Sequence, residues 1–474
     1  MADNRNSSGP RQAVVLIHGI GEQRPMETLR GFVDAFLKPG TYHSKPDTLS
    51  DTYEMRRLKL RKLASDDPKV ASLNVDWPET DFYEYYWAHH MYGTTIAHIF
   101  SWLWRVLTQG VGVIKTGGPR VHKRLRWLVP AVWLLVLAGI AAAVIFAVKQ
   151  LTEPSRIAAG VGVGVLLLVW GWLRGPLLGK LTDIAGDAAR YLDLNPKNIS
   201  RRYDIIRGGI DILRKLHTEH DERGEEVMYR YGRIVLVGHS LGSVIAYDIL
   251  KHYWQEVNGK MQVNAAQFAA VESFEGGNDK APADGLPPHE NAMKFRGDQH
   301  AAWLYLNRNK PAGVKLNYQK DRDPPHDARW LISDFVTLGC PLTYAPLLMA
   351  KGVEDLTSII ALRELPTCPP DRSKHLNPGH FTVRLSTELE RIVDFDVLPQ
   401  SAQFATVRWT NFYFHNDPIG GPLGSIFGKG VDDQELHGPT LRPITAHIGY
   451  WNKFKLKDAP RCVAHLEKIL KNQL

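Results

Sequence analysis

The chain has few cysteines, with only Cys340, Cys368 and Cys462 in 474 residues. So sparse and odd a set excludes a disulfide framework and points to a reducing compartment. Neither CxxC nor HExxH occurs, and His89-His90 has no companion at ligand spacing, so no metal and no cofactor are expected. No run of Lys and Arg interleaves with aromatics, and a net charge of +8 is modest for this length, which argues against a nucleic-acid partner. Residues 1–12 are polar and lack the apolar core of a secretory signal. No repeat occurs at the periods of solenoid proteins. The length fits an α/β enzyme carrying insertions.

The most informative stretch is Ile-Val-Leu-Val-Gly-His-Ser-Leu-Gly-Ser over 234–243. Four apolar residues, Ile234 to Val237, read as a buried parallel strand. The pentapeptide Gly238-His239-Ser240-Leu241-Gly242 follows, and Val244 to Leu250 has the apolar spacing of a helix. Strand, tight turn, serine and helix form the context of a nucleophile elbow. Gly238 and Gly242 suit it because a larger side chain would collide with the turn and the neighbouring strand. Ser240 would then stand at the carboxyl edge of the sheet. The bland alternative is a structural Gly-rich turn.

Three further segments belong with it. Ala13 to Ile17 is a second buried-strand run, followed by His18-Gly19-Ile20-Gly21. Val407 to Phe414 reads as a late strand running into the turn His415-Asn416-Asp417-Pro418. Thr445 to Trp451 places His447 in a small-residue loop ahead of the last helix. Together the four motifs resemble the α/β-hydrolase superfamily. More narrowly, the chain resembles lipase-like bacterial hydrolases that carry a membrane insertion.

The resemblance implies an α/β-hydrolase fold: a mostly parallel sheet with helices on both faces. It implies that the backbone N–H groups of Leu241 and Ile20 are the two oxyanion donors. His18 and Gly19 then organise the loop; alternatively, that segment is only a strand-to-helix turn. The family order of nucleophile, acid, histidine implies Ser240, then Asp417 as orienting carboxylate, then His447 as general base. His437 and His415 rival His447, and Asp432, Asp433 and Asp355 rival Asp417. Asn-Asp-Pro is also a common turn sequence. Phe335 to Leu342 reads as a strand ending in Gly-Cys-Pro, like the pocket-bordering turn of lipase-like members. Cys340 there is read as packing rather than as a reactive thiol.

The membrane signal is internal. Trp127 to Val148 is an uncharged run of 22 residues between Arg126 and Lys149. As a helix it would span about 33 Å, enough for a bilayer core. Ile157 to Leu173 is a second run, of 17 residues, and would reach about 26 Å. The spacing suggests a helical hairpin, with a buried soluble helix pair as the alternative. Lys115, Arg120, Lys123, Arg124 and Arg126 before it, with Arg174 and Lys180 after it, place both ends and the motifs in the cytoplasm. Residues 92–114 read either as an interfacial helix or as an apolar floor to the site.

The expected organisation is a first core segment (1–91), a membrane insertion (92–180) and the main core (181–474). A loop-rich cap or flexible insertion is expected over 257–330. Phe82 to Trp87 reads as an early strand, and Asp183–Leu192 and Arg202–His217 as helices. The expected protein is an inner-membrane bacterial serine hydrolase with the bilayer and a lipid-like ester as partners. A non-catalytic scaffold that keeps the fold is the alternative, as are a thioesterase, an amidase or an acyltransferase.

Overall fold

The computed structural model describes residues 11–20, 24–38, 40–47, 49, 54–60, 77–91, 130, 191, 196–217, 231–261, 288–308, 329–370, 385–386, 392–393, 398–438, 443–451 and 458–472. In chain order the strands are β1 (Arg11–Ile17), β2 (Tyr42–Pro46), β3 (Arg56–Leu60), β4 (Thr80–Tyr85), β5 (Tyr231–His239), β6 (Ile332–Leu338), β7 (Leu385–Ser386), β8 (Ile392–Val393), β9 (Arg408–Phe414) and β10 (Asp432–Leu436). The helices used below are α1 (Glu27–Asp34), α2 (Pro196–His217), α3 (Leu241–Val257), α4 (Pro288–Arg308), α5 (Val353–Ala361), α6 (Pro443–Ile448) and α7 (Ala459–Leu470).

Eight strands form one mixed sheet in the order β10-β9-β6-β5-β1-β4-β3-β2, and β7 pairs only with β8. From β10 to β4 all neighbours run parallel, while β3 and β2 add an antiparallel edge. This is an α/β architecture, as the sequence indicated. The apolar runs in β1 and β5 have a simple cause: both faces are covered. Val14, Leu16, Val235 and Val237 pack on one side with Leu29 and Phe32 of α1 and Leu466 and Ile469 of α7. Ala13, Val15, Ile17, Ile234 and Leu236 pack on the other with Leu213 of α2 and Val244 and Ile245 of α3.

The order also contains a topological switch point. After β1 the chain moves to β4 on one side, then returns to place β5 on the other. The sheet order therefore reverses between β1 and β5, and ligands of open α/β sheets bind at the carboxyl ends flanking such a switch point. His18 follows β1 there and Ser240 follows β5.

The opposite edge is pinned by charge. Asp334 at the start of β6 accepts hydrogen bonds from Arg233 of β5 (2.6 Å) and Arg408 of β9 (3.0 Å). Arg233 also reaches Gln12 of β1 (3.0 Å). All four side chains are buried.

Several expectations change. The stretch Pro288–Arg308 is a helix rather than a loop. Gln299 donates to the carbonyls of Phe404 and Val407, and Asn307 to that of Trp330, just before β9 and β6 begin. This helix thus lies by the strand starts, away from Ser240. The remainder of 257–330, except 257–261 and 329–330, lies outside the described residues. So do 92–114, the run 157–173 and, apart from Pro130, the run 127–148; of the helix expected over 183–192, only Tyr191 is described. Among the described residues no helix is long and apolar enough to cross a membrane.

Candidate active site

Ser240 sits between the end of β5 and the start of α3, with φ 54° and ψ −128°. A non-glycine residue held there stores roughly 1–3 kcal/mol of backbone strain. The motif glycines let the turn close. A Cβ on Gly242 would lie 2.2 Å from the Ile17 carbonyl oxygen, and one on Gly238 would lie 2.5 Å from the Ser243 Cα. The helix therefore starts directly against the end of β1. As the first residue of α3, Leu241 has an N–H without a helical acceptor.

The β1 loop meets the same turn. A Cβ on Gly19 would come within 2.8 Å of the Ser240 Cβ. Ile20 follows immediately, partly buried against the core. The two segments expected to supply oxyanion donors are thus in contact. His18 is fully buried, its Nδ1 lies 2.7 Å from the Gly19 carbonyl, and its ring stacks on Trp87 at 5.2 Å. Burial pushes its pKa down to about 4, so the ring is neutral at pH 7. The ring lies inside the loop. Gly19→Ala is expected to displace the loop from the elbow, lowering any kcat on an ester by roughly ten- to a hundredfold. Wild-type kcat in that variant would show that the loop's placement does not matter.

Three residues far apart in sequence converge. Ser240 Oγ lies 2.8 Å from His447 Nε2, and His447 Nδ1 lies 2.9 and 3.0 Å from the two oxygens of Asp417. Asp417 follows the end of β9, as its strand-end position suggested. His447 lies in the short helix α6, not in the loop expected; Pro443 opens that helix. All three side chains are buried.

The carboxylate is well supported. Tyr450 donates its hydroxyl to Asp417 Oδ2 (2.6 Å), and the Ile419 N–H donates to Oδ1 (2.8 Å). Burial alone would raise the Asp417 pKa; the charge of His447 and the hydrogen bonds from His447, Tyr450 and Ile419 outweigh it and hold the carboxyl well below the usual range. When the His447 imidazole carries a single proton, an ionised Asp417 keeps it on Nδ1. Nε2 is then a lone-pair acceptor facing the Ser240 hydroxyl. The arrangement can pass a proton from Ser240 to His447 while the imidazolium is stabilised from behind. Gly339, just past β6, has φ +61°, and a Cβ there would lie 3.0 Å from both Asp417 Oδ2 and His447 Nδ1. Only a glycine lets this turn pass so close to the pair.

The rivals lie elsewhere. Asp355 accepts the Lys351 N–H at the start of α5. Asp433 accepts the N–H groups of Leu423 and Gly424, and Asp432 pairs with Arg296 at 3.5 Å. His437 is exposed and pairs with Asp458, and His415 lies against His437. The buried Cys340 thiol is pushed up to about 12 by burial, which leaves it protonated and unreactive at neutral pH. Among the described residues no group of His, Cys, Asp and Glu could hold a metal ion.

Tyr450 and His239 were given no role from the sequence, whereas Gly339 fell in the Gly-Cys-Pro turn read as bordering the pocket. Tyr450 carried one faint signal, its place three residues after His447 in a stretch already singled out.

No family model, no curated protein and no solved structure matches the chain.

Proposed function

We propose that this chain is a serine hydrolase of the α/β-hydrolase type, anchored in a membrane by a helical hairpin and cleaving carboxylic esters, with lipid-like esters as the substrate class. The observation that carries this reading is the hydrogen-bonded chain Ser240–His447–Asp417 at the sheet's switch point. Ser240 Oγ attacks the acyl carbonyl carbon as His447 Nε2 takes its proton. The N–H groups of Leu241 and Ile20 stabilise the oxyanion. His447 returns the proton to the departing alkoxide, leaving an acyl-Ser240. Water, deprotonated by His447, then releases the acid and restores Ser240. No step needs a metal or cofactor.

A fluorophosphonate probe applied to the membrane fraction tests the reading. Covalent modification should map to the peptide containing Ser240, and lipids should accumulate in a Ser240→Ala strain. An intact protein that resists the probe would favour the scaffold instead.

The lipid substrate and the anchoring rest on the uncharged runs 127–148 and 157–173 and their basic flanks. Extraction should need detergent, with alkaline carbonate failing to release the protein. Replacing residues 127–173 by a flexible linker should give a more soluble protein that still hydrolyses a soluble short-chain ester but has lost activity on bilayer lipid. Release of the intact protein by carbonate would leave only a peripheral association. Equal activity of the deletion variant on both substrates would remove the lipid assignment.

A further inference from the structure

We infer that His239, the residue before the nucleophile, is a positioning residue that fixes the acid–base histidine to the elbow through a hydrogen bond from its ring to the main chain of His447. The inference rests on the hydrolase reading for its catalytic consequence but not for its geometry.

His239 Nε2 lies 2.9 Å from the His447 carbonyl oxygen. A carbonyl only accepts, so Nε2 carries the proton and Nδ1 the lone pair. Nδ1 faces the β1 loop, 3.1 Å from where a Cβ of Gly19 would stand. The ring therefore spans the gap between the loop with the proposed oxyanion donor and the helix with the base. It lies 5.2 Å from the His447 ring, 5.9 Å from Tyr450 and 5.0 Å from Trp451. Burial pushes its pKa down to about 3, so the ring stays neutral and places no second positive charge beside an imidazolium at His447.

The geometry explains why such a bond would matter. His447 sits on α6, a six-residue helix that is not part of the sheet. Its imidazole must meet Ser240 Oγ at hydrogen-bonding distance and proper angle on every turnover. The two ring bonds, to Ser240 and Asp417, orient the imidazole. The His239 bond instead fixes the backbone that carries it, and fixes it to β5, the strand that Ser240 directly follows. Base and nucleophile are thereby referenced to one rigid element. Among the described residues, the polar side chains facing His447 are Ser240, Asp417, Tyr450 behind Asp417, and His239.

The test uses full-length detergent-solubilised protein and two substitutions. His239→Gln keeps an N–H donor the same number of bonds from the backbone; His239→Met keeps the bulk and loses the donor. Three quantities are measured: kcat and KM on a p-nitrophenyl ester, the unfolding temperature, and the His447 Nδ1–H resonance in protein with 15N-labelled histidine rings. His239→Met should lower kcat about ten- to a hundredfold with KM within about twofold, and should shift or broaden that resonance. His239→Gln should recover kcat to within about threefold and restore the resonance. Wild-type kcat and an unmoved resonance in His239→Met would overturn the inference. So would His239→Gln behaving like His239→Met at equal unfolding temperature, since ring packing alone would then be the cause. Should His239→Met fail to fold, His239→Leu takes its place. If the wild-type protein hydrolyses no ester, the functional reading fails, and the resonance alone still decides whether the bond holds His447.

Discussion

Ser240→Ala and His447→Ala are each expected to lower kcat on a short p-nitrophenyl ester by at least about 10,000-fold, and the double variant to lose no more than either alone. The non-additivity follows from the geometry. The 2.8 Å contact between Ser240 Oγ and His447 Nε2 makes the two groups one device. A serine without its base keeps a proton that cannot leave at neutral pH, and a base without its serine has no nucleophile to activate. Fluorophosphonate labelling should vanish in both. Folding should survive, because the elbow is shaped by Gly19, Gly238 and Gly242 rather than by the hydroxyl. Ser240→Gly should be equally inactive yet more stable than Ser240→Ala by about 1 kcal/mol, since glycine adopts φ 54° without strain. Labelling that persists in Ser240→Ala would identify a different nucleophile.

The parts of the molecule that were legible in the sequence are those set by local constraints. The β5 elbow was legible because a two-sided strand must be apolar throughout and its sharp turn admits only glycine at set positions. Both signals fall within residues 234–242. β1 was legible for the same reason, while β6 and β9 were read from shorter apolar and aromatic runs interrupted by Thr337, Thr410 and Asn411. The pairing of Asp417 with His447 had no local signature; it rested on the order of residues that the resemblance implies, and the structure brings the two side chains together. Tyr450 and His239 escaped because their partners, Asp417 and the His447 carbonyl, lie 33 and 208 residues away. The helix Pro288–Arg308 escaped because its buried face is partly polar. Arg296 and Gln299 stand where an apolar stripe would normally run, bonded instead to Thr410 and to the carbonyls of Phe404 and Val407. The buried Arg233–Asp334–Arg408 cluster breaks the hydrophobic pattern of its strands in the same way. Polar groups that are satisfied only by tertiary contacts look like surface in a one-dimensional pattern.

Asp417→Asn is expected to be almost as damaging as loss of the nucleophile, lowering kcat by roughly 1,000- to 10,000-fold while KM changes little. The carboxylate has two oxygens and accepts from three donors: Ile419 N–H and His447 on Oδ1, Tyr450 and His447 on Oδ2. An amide offers one oxygen and two N–H groups in the same space. An amide oxygen at the Oδ1 site serves Ile419 and one at the Oδ2 site serves Tyr450, so in either orientation the NH2 group takes the other site, where an N–H can point at His447 Nδ1. The imidazole must then carry its proton on Nε2, where it blocks acceptance from Ser240. In either orientation Tyr450 or Ile419 also meets a donor where the carboxylate gave it an acceptor. Tyr450→Phe removes only one of these bonds and should cost about tenfold in kcat. Asp355→Asn, remote from His447, should leave kcat within about twofold, and an inactive Asp355→Asn beside an active Asp417→Asn would move the acid to the earlier site. Stability gives an independent check. The folded protein holds the Asp417 carboxyl below its ordinary pKa, so ionisation stabilises the fold above the unfolded value of about 4, and this contribution fades as the pH falls below it. The wild-type protein should therefore exceed Asp417→Asn in unfolding free energy by a constant margin at neutral pH, and the margin should shrink in acid. A margin that grows in acid would mean that the buried carboxyl is neutral, and an uncharged Asp417 could not stabilise an imidazolium.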